Sequence, residues 1–296
     1  MAEIIAITNQ KGGVAKTTTA CALATGLAKR GFDVLMVDTD PQRNTTGVYR
    51  AETDGVATLH DLLFTKGVEP TQCVQHTEVG DIIASDSLLA KDDANMNGFR
   101  ESLLIKKALA SFREKYDFII VDHNPGYAGI LNNVLTAADS LIIPMQTDGF
   151  SVDGASDVAE RINSIKEFTN PNLEVAGVLL TLYNGRTNSA KAFLEQAAVI
   201  EDLFDCKVYK TKIRRSQALS DANTSRISIF DYAPRSNGSI DYNALISEYL
   251  GELTEKDWDE EQQNWSFLIE QKDPETERER VAAFERFMSL LQRRDK

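Results

Sequence analysis

Two lysines lie close together in the stretch ITNQKGGVAKTTTA, residues 7–20, and they are Lys11 and Lys16. Two glycines and a threonine accompany them: Gly12, Gly13 and Thr17. Glycines let backbone N–H groups approach phosphate oxygens, and the N-terminus of a following helix adds positive potential. A lysine can place its charge on the β- and γ-phosphates, and a threonine hydroxyl can bind Mg²⁺. The stretch therefore predicts a site for a nucleoside triphosphate with magnesium, in which Lys16 and Thr17 take these two roles.

The stretch departs from the usual phosphate-loop pattern, G-x-x-x-x-G-K-[ST]. Gln10 and Ala15 stand where that pattern has its two glycines. Alanine restricts the backbone more than glycine does, but it can still adopt a helix-entry conformation. One lysine suffices for the usual pattern, so Lys11 must have a role of its own.

Three aspartates stand at the ends of apolar runs. Asp38 and Asp40 lie in VDTDPQ, and Asp122 lies in IIVDHNP. A carboxylate at the end of a buried strand is unfavourable unless it serves a cation or a water molecule. Asp122 is placed to hold Mg²⁺, and of Asp38 and Asp40 one can support the metal while the other orients an attacking water. The pattern predicts hydrolysis of the bound triphosphate, and we interpret the neighbouring His123 as a spacer.

These side chains need a scaffold that brings the ends of several strands together. Short apolar runs predict strands over residues 3–8, 33–40, 80–85, 117–123, 139–146, 174–183 and 206–213. Helical spacing predicts helices over residues 16–29 and 101–115. This alternation predicts an α/β fold with a doubly wound, mostly parallel sheet and helices on both faces. Ligands bind at the carboxyl ends of such strands, which here follow residues 8, 38, 122 and 146.

Taken together, the motifs resemble those of one ATPase group. KGGVAKTT, VDTDPQ, FIIVD and LIIPMQTD occur in this order, and they resemble the ParA/MinD group of ATPases with a deviant Walker A loop. LLTLYNGRTN (179–188) and IFDYAPRSNGSIDYNAL (229–245) resemble the ParA branch in particular. The resemblance covers residues 1–250, and it implies a P-loop NTPase domain there that uses ATP and Mg²⁺.

The resemblance also implies roles for single residues. In this family the second lysine, here Lys11, reaches across a dimer interface to the phosphates of the partner's ATP, so that dimerisation depends on the nucleotide. The family's water-positioning aspartate matches Asp40, and Lys11, Lys16 and Asp40 are the implied catalytic residues. The implied nucleotide-binding residues form the loop: Lys11, Gly12, Gly13, Val14, Ala15, Lys16, Thr17 and Thr18. The implied metal ligands are Thr17, Asp38 and Asp122.

Some positions depart from the family pattern. Arg43 replaces a frequent glycine, and Asn124 replaces the first proline of the usual D-x-P-P. If Arg43 lies in the switch segment, turnover of this chain could be unusual. A second DNA-binding arginine of relatives aligns with Ala218, so that contact is absent here or is replaced by Arg214 or Arg215.

The run KVYKTKIRR, residues 207–215, holds five basic residues and no acidic one. In a strand, alternate residues of this run share one face. With Arg186, in a segment that carries a DNA-binding arginine in relatives, and with Lys191, the run could form a patch that tracks phosphates. The alternative is the solvated face of an edge strand. The predicted DNA-binding residues are Arg186, Lys210, Lys212, Arg214 and Arg215.

The resemblance implies a ParA-like ATPase that forms an ATP-dependent homodimer and binds DNA without sequence preference. It would drive partition of a plasmid, a chromosome or another mobile element with a ParB-like DNA-binding activator protein. The formal net charge of −13 argues against whole-surface attraction to nucleic acid, so DNA binding must use a local patch. The chain starts at the first strand, and it therefore resembles the short kind of partition ATPase without an N-terminal helix-turn-helix.

Residues 251–296 differ in character and predict an acidic, helical C-terminal extension with an amphipathic helix over 277–294. This helix supports the alternative function, a MinD-like membrane-surface positioning ATPase. Its acidic residues disfavour a membrane, and we expect packing on the domain or on a protein partner. The three cysteines lie far apart, which disfavours a disulfide framework and a metal-cluster carrier. With no long apolar run and no signal peptide, the sequence predicts a cytoplasmic protein, and the resemblance implies association with the nucleoid.

Overall fold

The computed structural model describes residues 1–96, 98, 100–147 and 152–252 of the chain. Of the predicted C-terminal extension, residues 253–296 lie outside the described residues, and with them the amphipathic helix predicted over 277–294. Within the described ranges no helix has both the length and the apolar character that a bilayer crossing requires.

A single sheet forms the centre of the described part, and it has eight strands. In chain order they are β1 Glu3–Ile7, β2 Val34–Asp38, β3 Val74–His76, β4 Asp81–Ile83, β5 Phe118–Asp122, β6 Ser140–Gln146, β7 Glu174–Tyr183 and β8 Val208–Arg214. Their spatial order is β3-β4-β2-β5-β1-β6-β7-β8. All neighbouring strands are parallel except β3 and β4. The predicted α/β class with a mostly parallel sheet is therefore confirmed.

Helices connect the strands. They are α1 Lys16–Lys29, α2 Asn44–Val48, α3 Leu59–Phe64, α4 Leu89–Asp92, α5 Leu104–Ala110, α6 Ala128–Ala137, α7 Val152–Phe168, α8 Asn188–Glu195, α9 Ala197–Phe204, α10 Gln217–Ser225, α11 Ile229–Tyr232 and α12 Asn237–Tyr249. The helix predicted over 101–115 is shorter than expected, because its start is the 3₁₀ turn Glu101–Leu103 and α5 ends at Ala110. Strand β3 escaped prediction, since it has only three residues and pairs at the edge of the sheet.

The central strand β1 supplies apolar side chains to both faces of the sheet. Ile4 and Ala6 belong to the core with α5, α6 and α7, whereas Ile5 and Ile7 belong to the core with α1 and α12. All four are almost completely buried, and a fully buried isoleucine contributes about 1.5–3 kcal/mol to stability. Both faces of β1 are covered, which explains its uninterrupted apolar run.

The connections diverge at β1. The chain leaves β1 for β2 on one side of the sheet, and it later passes from β5 across β1 to β6 on the other side. Such a reversal opens a crevice at the carboxyl end of the central strand, where α/β proteins bind ligands. The lysine-containing loop begins at this point.

Candidate nucleotide site

The loop that follows β1 is held from one side by the end of β6. Asn9 donates through Nδ2 to the carbonyl oxygen of Pro144 at 2.7 Å, and its Oδ1 accepts from the backbone N–H of Lys11 at 2.8 Å. Asn9 is almost fully buried, so this pair of bonds fixes where the loop leaves the sheet.

Two further side chains hold the carbonyl groups of the loop. Gln146, the last residue of β6, donates to the carbonyl oxygen of Gly13 at 2.5 Å. Thr181 of β7 donates to the carbonyl oxygen of Val14 at 3.1 Å. With these carbonyl groups occupied, the loop has a defined shape before any ligand binds. Sequence reasoning missed Asn9, Gln146 and Thr181. In the sequence, each is marked only as a polar residue within or close to the end of an apolar strand.

The backbone of the loop is left-handed at two positions. Gly13 has φ +75°, which glycine adopts without strain. Ala15 is the residue at which the chain enters α1, and it does so in the left-handed conformation, with φ 65° and ψ 30°. The tight turn into α1 demands a left-handed residue, and a Cβ in this conformation costs about 1–2 kcal/mol. The glycine of the usual phosphate-loop pattern would avoid that cost.

Lys16, the first residue of α1, is buried next to carboxylates. Only 7% of its surface is exposed, and its ammonium group donates to the carbonyl oxygen of Lys11 at 2.8 Å. Burial lowers its pKa, while the charges of Asp122 and Asp40 oppose that shift. A buried ammonium group has three donors, so this one retains capacity to bind an anion. The side chain of Lys11, in contrast, is exposed.

Asp38 ends β2, and its carboxylate organises the segment that follows. Its Oδ2 accepts from both the backbone N–H and the hydroxyl of Thr46 at 2.7 Å, and its Oδ1 accepts from the backbone N–H of Asp40 at 2.9 Å. Burial and the charge of Asp122 raise the pKa of Asp38 to about 7. Its hydrogen bonds make Asp38 a support for the segment 38–46.

Asp122 ends β5 and lies opposite Asp38 in the register of the two strands. Its Oδ2 accepts from the hydroxyl of Thr45 at 2.6 Å, whereas its Oδ1 is buried without a hydrogen-bond partner in the described part of the chain. Burial raises the pKa of Asp122 to about 6, and the hydroxyls of Thr45 and Thr17 act against this shift. A buried carboxylate oxygen without a donor, next to a second carboxylate and a threonine, fits a bound Mg²⁺.

The described residues contain no group of three or more His, Cys, Asp or Glu side chains in a metal-holding arrangement. A Mg²⁺ ion at a phosphate loop does not need such a group. Such an ion keeps several waters and is bound through one or two protein oxygens together with phosphate oxygens.

Asp40 lies two residues beyond β2 and is 5% exposed. Its Oδ1 accepts from the backbone N–H of Gln42 at 2.8 Å and from Nδ2 of Asn124 at 3.0 Å. The next turn passes through Arg43, whose φ of 60° is left-handed. This conformation gives a physical reason for the glycine that is frequent at this position in relatives.

His123 is buried directly beyond β5. Its Nε2 lies 2.8 Å from the hydroxyl oxygen of Thr8, and burial lowers its pKa to about 4. The ring is therefore neutral at physiological pH and joins β5 to the start of the loop after β1.

The basic run of residues 207–215 forms β8, at one edge of the sheet. Its odd-numbered residues are buried: Tyr209, Thr211 and Ile213. Its even-numbered basic residues share the other face, as strand geometry predicts: Lys210, Lys212 and Arg214. The run thus lies on an edge strand. Both interpretations of it remain open: a patch that binds DNA phosphates, and the solvated face of an edge strand.

Among the predicted DNA-binding residues, Arg214 and Lys212 contact named side chains of the domain. Arg214 binds Asp241 of α12 through Nε and Nη2 at 2.5–3.1 Å, and its backbone N–H adds a bond of 2.9 Å. Lys212 lies over the ring of Tyr183, and burial lowers its pKa. A phosphate would have to compete with these contacts. Three of the predicted residues are exposed: Arg186, Lys210 and Arg215.

Comparison with known proteins gives consistent matches over the described part. The model of a family described as AAA domain matches residues 2–175. The sporulation initiation inhibitor protein Soj of Bacillus subtilis is 36% identical over 252 residues, which cover 84% of this chain and 98% of that protein. The chromosome partitioning protein ParA of Myxococcus xanthus is 32% identical, with 86% of this chain and 89% of that protein covered.

Solved structures show the same fold. Cobyrinic acid a,c-diamide synthase from Mycobacterium smegmatis, with bound ADP and magnesium, has a TM-score of 0.71 and is 29% identical, with 84% of this chain and 94% of that chain covered. The septum site-determining protein MinD from Pyrococcus horikoshii, complexed with Mg-ADP, has a TM-score of 0.66. It is 22% identical, and the comparison covers 84% of this chain and 96% of that chain.

Proposed function

Because this chain belongs to the ParA family of P-loop ATPases, we propose that it hydrolyses ATP with Mg²⁺ and uses an ATP-dependent homodimer to partition DNA. One observation carries the proposal. A buried lysine at the start of α1 and three buried aspartates, at or just beyond the ends of β2 and β5, lie beside a preformed glycine loop. Burial of these charges is unfavourable unless the protein binds a polyanion and a cation between them.

Each of these groups has a definite task in hydrolysis. Lys16 would place its ammonium charge on the terminal phosphates, and the loop N–H groups would bind the phosphate oxygens. Thr17, Asp38 and Asp122 would hold Mg²⁺ directly or through water. When bound, Mg²⁺ neutralises charge on the phosphate oxygens. Asp40 would accept a hydrogen bond from the attacking water and orient it.

The exposure of Lys11 supports a contact across a dimer. Its side chain is exposed, while its carbonyl oxygen holds the ammonium group of Lys16. A lysine at this place can stabilise the charge on the partner's phosphates only when two subunits meet, so dimerisation would require the nucleotide. We assign residues 1–250 to this ATPase domain and residues 251–296 to an extension.

We also propose that the dimer binds DNA through the exposed basic residues at the β8 edge and the loop after β7: Arg186, Lys210 and Arg215. The named functions of relatives in chromosome partitioning support this proposal. The chain carries a net charge of −13, so a single patch would bind DNA weakly. A dimer joins two patches, and because the dimer requires ATP, DNA binding would depend on ATP as well. A ParB-like protein would then stimulate hydrolysis and release the DNA, and the ATP-bound protein would associate with the nucleoid.

The ATPase proposal is tested with the purified full chain. We expect Mg²⁺-dependent release of phosphate that EDTA abolishes and that Lys16→Ala lowers about a hundredfold. Equal rates for the wild type and Lys16→Ala would contradict the assignment of the site.

The DNA proposal is tested with Asp40→Ala, which we expect to stay ATP-bound. Its affinity for duplex DNA of unrelated sequences should fall with salt, with a log–log slope of roughly −5 for about six phosphate contacts. Replacement of Arg186 and Arg215 by alanine should weaken binding to all sequences alike. Absence of DNA affinity at low salt would remove the support for partition.

A further inference from the structure

Asn124 is a departure from the family pattern that contacts the proposed hydrolytic residue. It lies two residues beyond Asp122, in the segment that leaves β5 for α6. Its Nδ2 donates to Oδ1 of Asp40 at 3.0 Å, although the two residues are 84 positions apart in the chain. The proline of the D-x-P-P pattern at this position would offer no side-chain donor.

The orientation of the amide follows from its other hydrogen bond. Oδ1 of Asn124 accepts from the backbone N–H of Gly126 at 2.8 Å, so the opposite side of the amide, Nδ2, must face Asp40. The bond to Gly126 closes a turn of the kind that asparagine favours. Asn124 is therefore held by its own turn, and this makes it a rigid donor.

The carboxylate of Asp40 is consequently bound on one side only. Its Oδ1 accepts from Asn124 and from the backbone N–H of Gln42, whereas its Oδ2 accepts no hydrogen bond from the residues that the structure describes. Two donors on one oxygen restrict rotation of the carboxylate and leave the other oxygen available to a water molecule.

We propose that Asn124 is a positioning residue for hydrolysis, which fixes the carboxylate of Asp40 with Oδ2 directed to the attacking water. This inference rests on the proposed ATPase function and deepens it. Asn124 also couples the two sides of the site, because the strand that carries Asp122 thereby holds the segment that carries Asp40. The role is specific to hydrolysis, since Asn124 has no part in the phosphate loop.

The test uses two substitutions that keep an acceptor for the turn and remove the amide donor from Asp40. Asn124→Asp preserves the size and the acceptor for Gly126, and Asn124→Ser retains an acceptor in a shorter side chain. We expect kcat to fall about tenfold to a hundredfold, with KM for ATP and the affinity for a fluorescent ATP analogue changed less than about twofold. Asn95→Ser is a matched control, because Asn95 donates to Oδ1 of Asp92 at 3.1 Å in the same way. It should keep the wild-type kcat.

The same substitutions in the Asp40→Ala background separate positioning from a structural role. If Asn124 acts through Asp40, Asn124→Ser should lower the residual rate of Asp40→Ala no further. An equal loss in both backgrounds, a parallel loss of ATP affinity, or a wild-type kcat for both Asn124 variants would overturn the inference and leave the proposed function intact. A wild-type chain without ATP hydrolysis would overturn both.

Discussion

The nucleotide site and the β8 edge use charged residues in opposite ways. At the nucleotide site, Lys16 is buried at the start of α1, and Asp38 and Asp122 are buried at the ends of neighbouring strands, which forces the two carboxylates together. At the β8 edge, the basic side chains lie on an open strand, and Arg214 has found an acidic partner in α12. Charges that the topology buries together indicate a ligand, whereas a basic run at an edge is ambiguous until its internal partners are known.

The largest expected effect concerns Asp40. Asp40→Ala should lower kcat for ATP about 10²–10⁴-fold, because the attacking water loses its acceptor while the loop and Lys16 remain. ATP binding and dimerisation should persist, which single-turnover hydrolysis and light scattering would measure. Wild-type turnover in this variant would move the water-positioning role, most directly to Asp38.

Substitution of Lys11 should give the next largest loss of hydrolysis. It tests whether Lys11, which is exposed, acts at the same phosphates as the buried Lys16. Lys11→Ala should lower hydrolysis about 10²–10³-fold and abolish most ATP-dependent dimerisation, while nucleotide binding by the monomer is retained. Lys16→Ala is the contrasting variant, since it should lose nucleotide binding itself. A Lys11→Ala protein that dimerises with ATP as the wild type does would contradict a contact across the dimer.

Two adjacent arginines at the β8 edge, Arg214 and Arg215, allow a direct test of the difference between a charge paired within the domain and an exposed one. Arg214→Ala leaves Asp241 buried without its cation and should lower the free energy of unfolding by about 3 kcal/mol. Arg215→Ala removes an exposed charge and should change stability by less than about 0.5 kcal/mol, while weakening DNA binding. Urea denaturation measures the stability of both variants. If Arg215 proved the more important for stability, the roles of the two arginines would be reversed.

The smallest effect is expected at Ala15, inside the nucleotide site. Ala15→Gly relieves the left-handed strain of a Cβ at φ 65° and should raise the free energy of unfolding by about 0.5–1 kcal/mol. Gly31→Ala is the mirror control, since Gly31 has φ +89° and alanine there should destabilise the protein. Thermal unfolding would measure both, and a destabilised Ala15→Gly protein would show that the side chain of Ala15 contributes contacts that outweigh its strain.

Much of the nucleotide site could be predicted because its residues are consecutive or end strands. The loop residues 11–18 are local, and the topology of a parallel sheet carries Asp38 and Asp122 to the same edge whatever the helices contain. The contacts that hold the loop could not be predicted. Asn9 and Thr181 meet it from distant segments, and a lone polar side chain on an apolar strand can equally well bind a neighbouring strand or face solvent.

By itself, the sequence determined the class of fold, the place of the phosphate loop and the acids that face it, because hydrophobic periodicity and local motifs act over short distances along the chain. Only the tertiary structure decided which charges remain available. It paired Arg214 with Asp241 across 27 residues, and it directed Asn124 to Asp40 across 84. Hydrogen bonds and ion pairs depend on distances of about 3 Å, and packing of the whole domain sets such distances between remote residues.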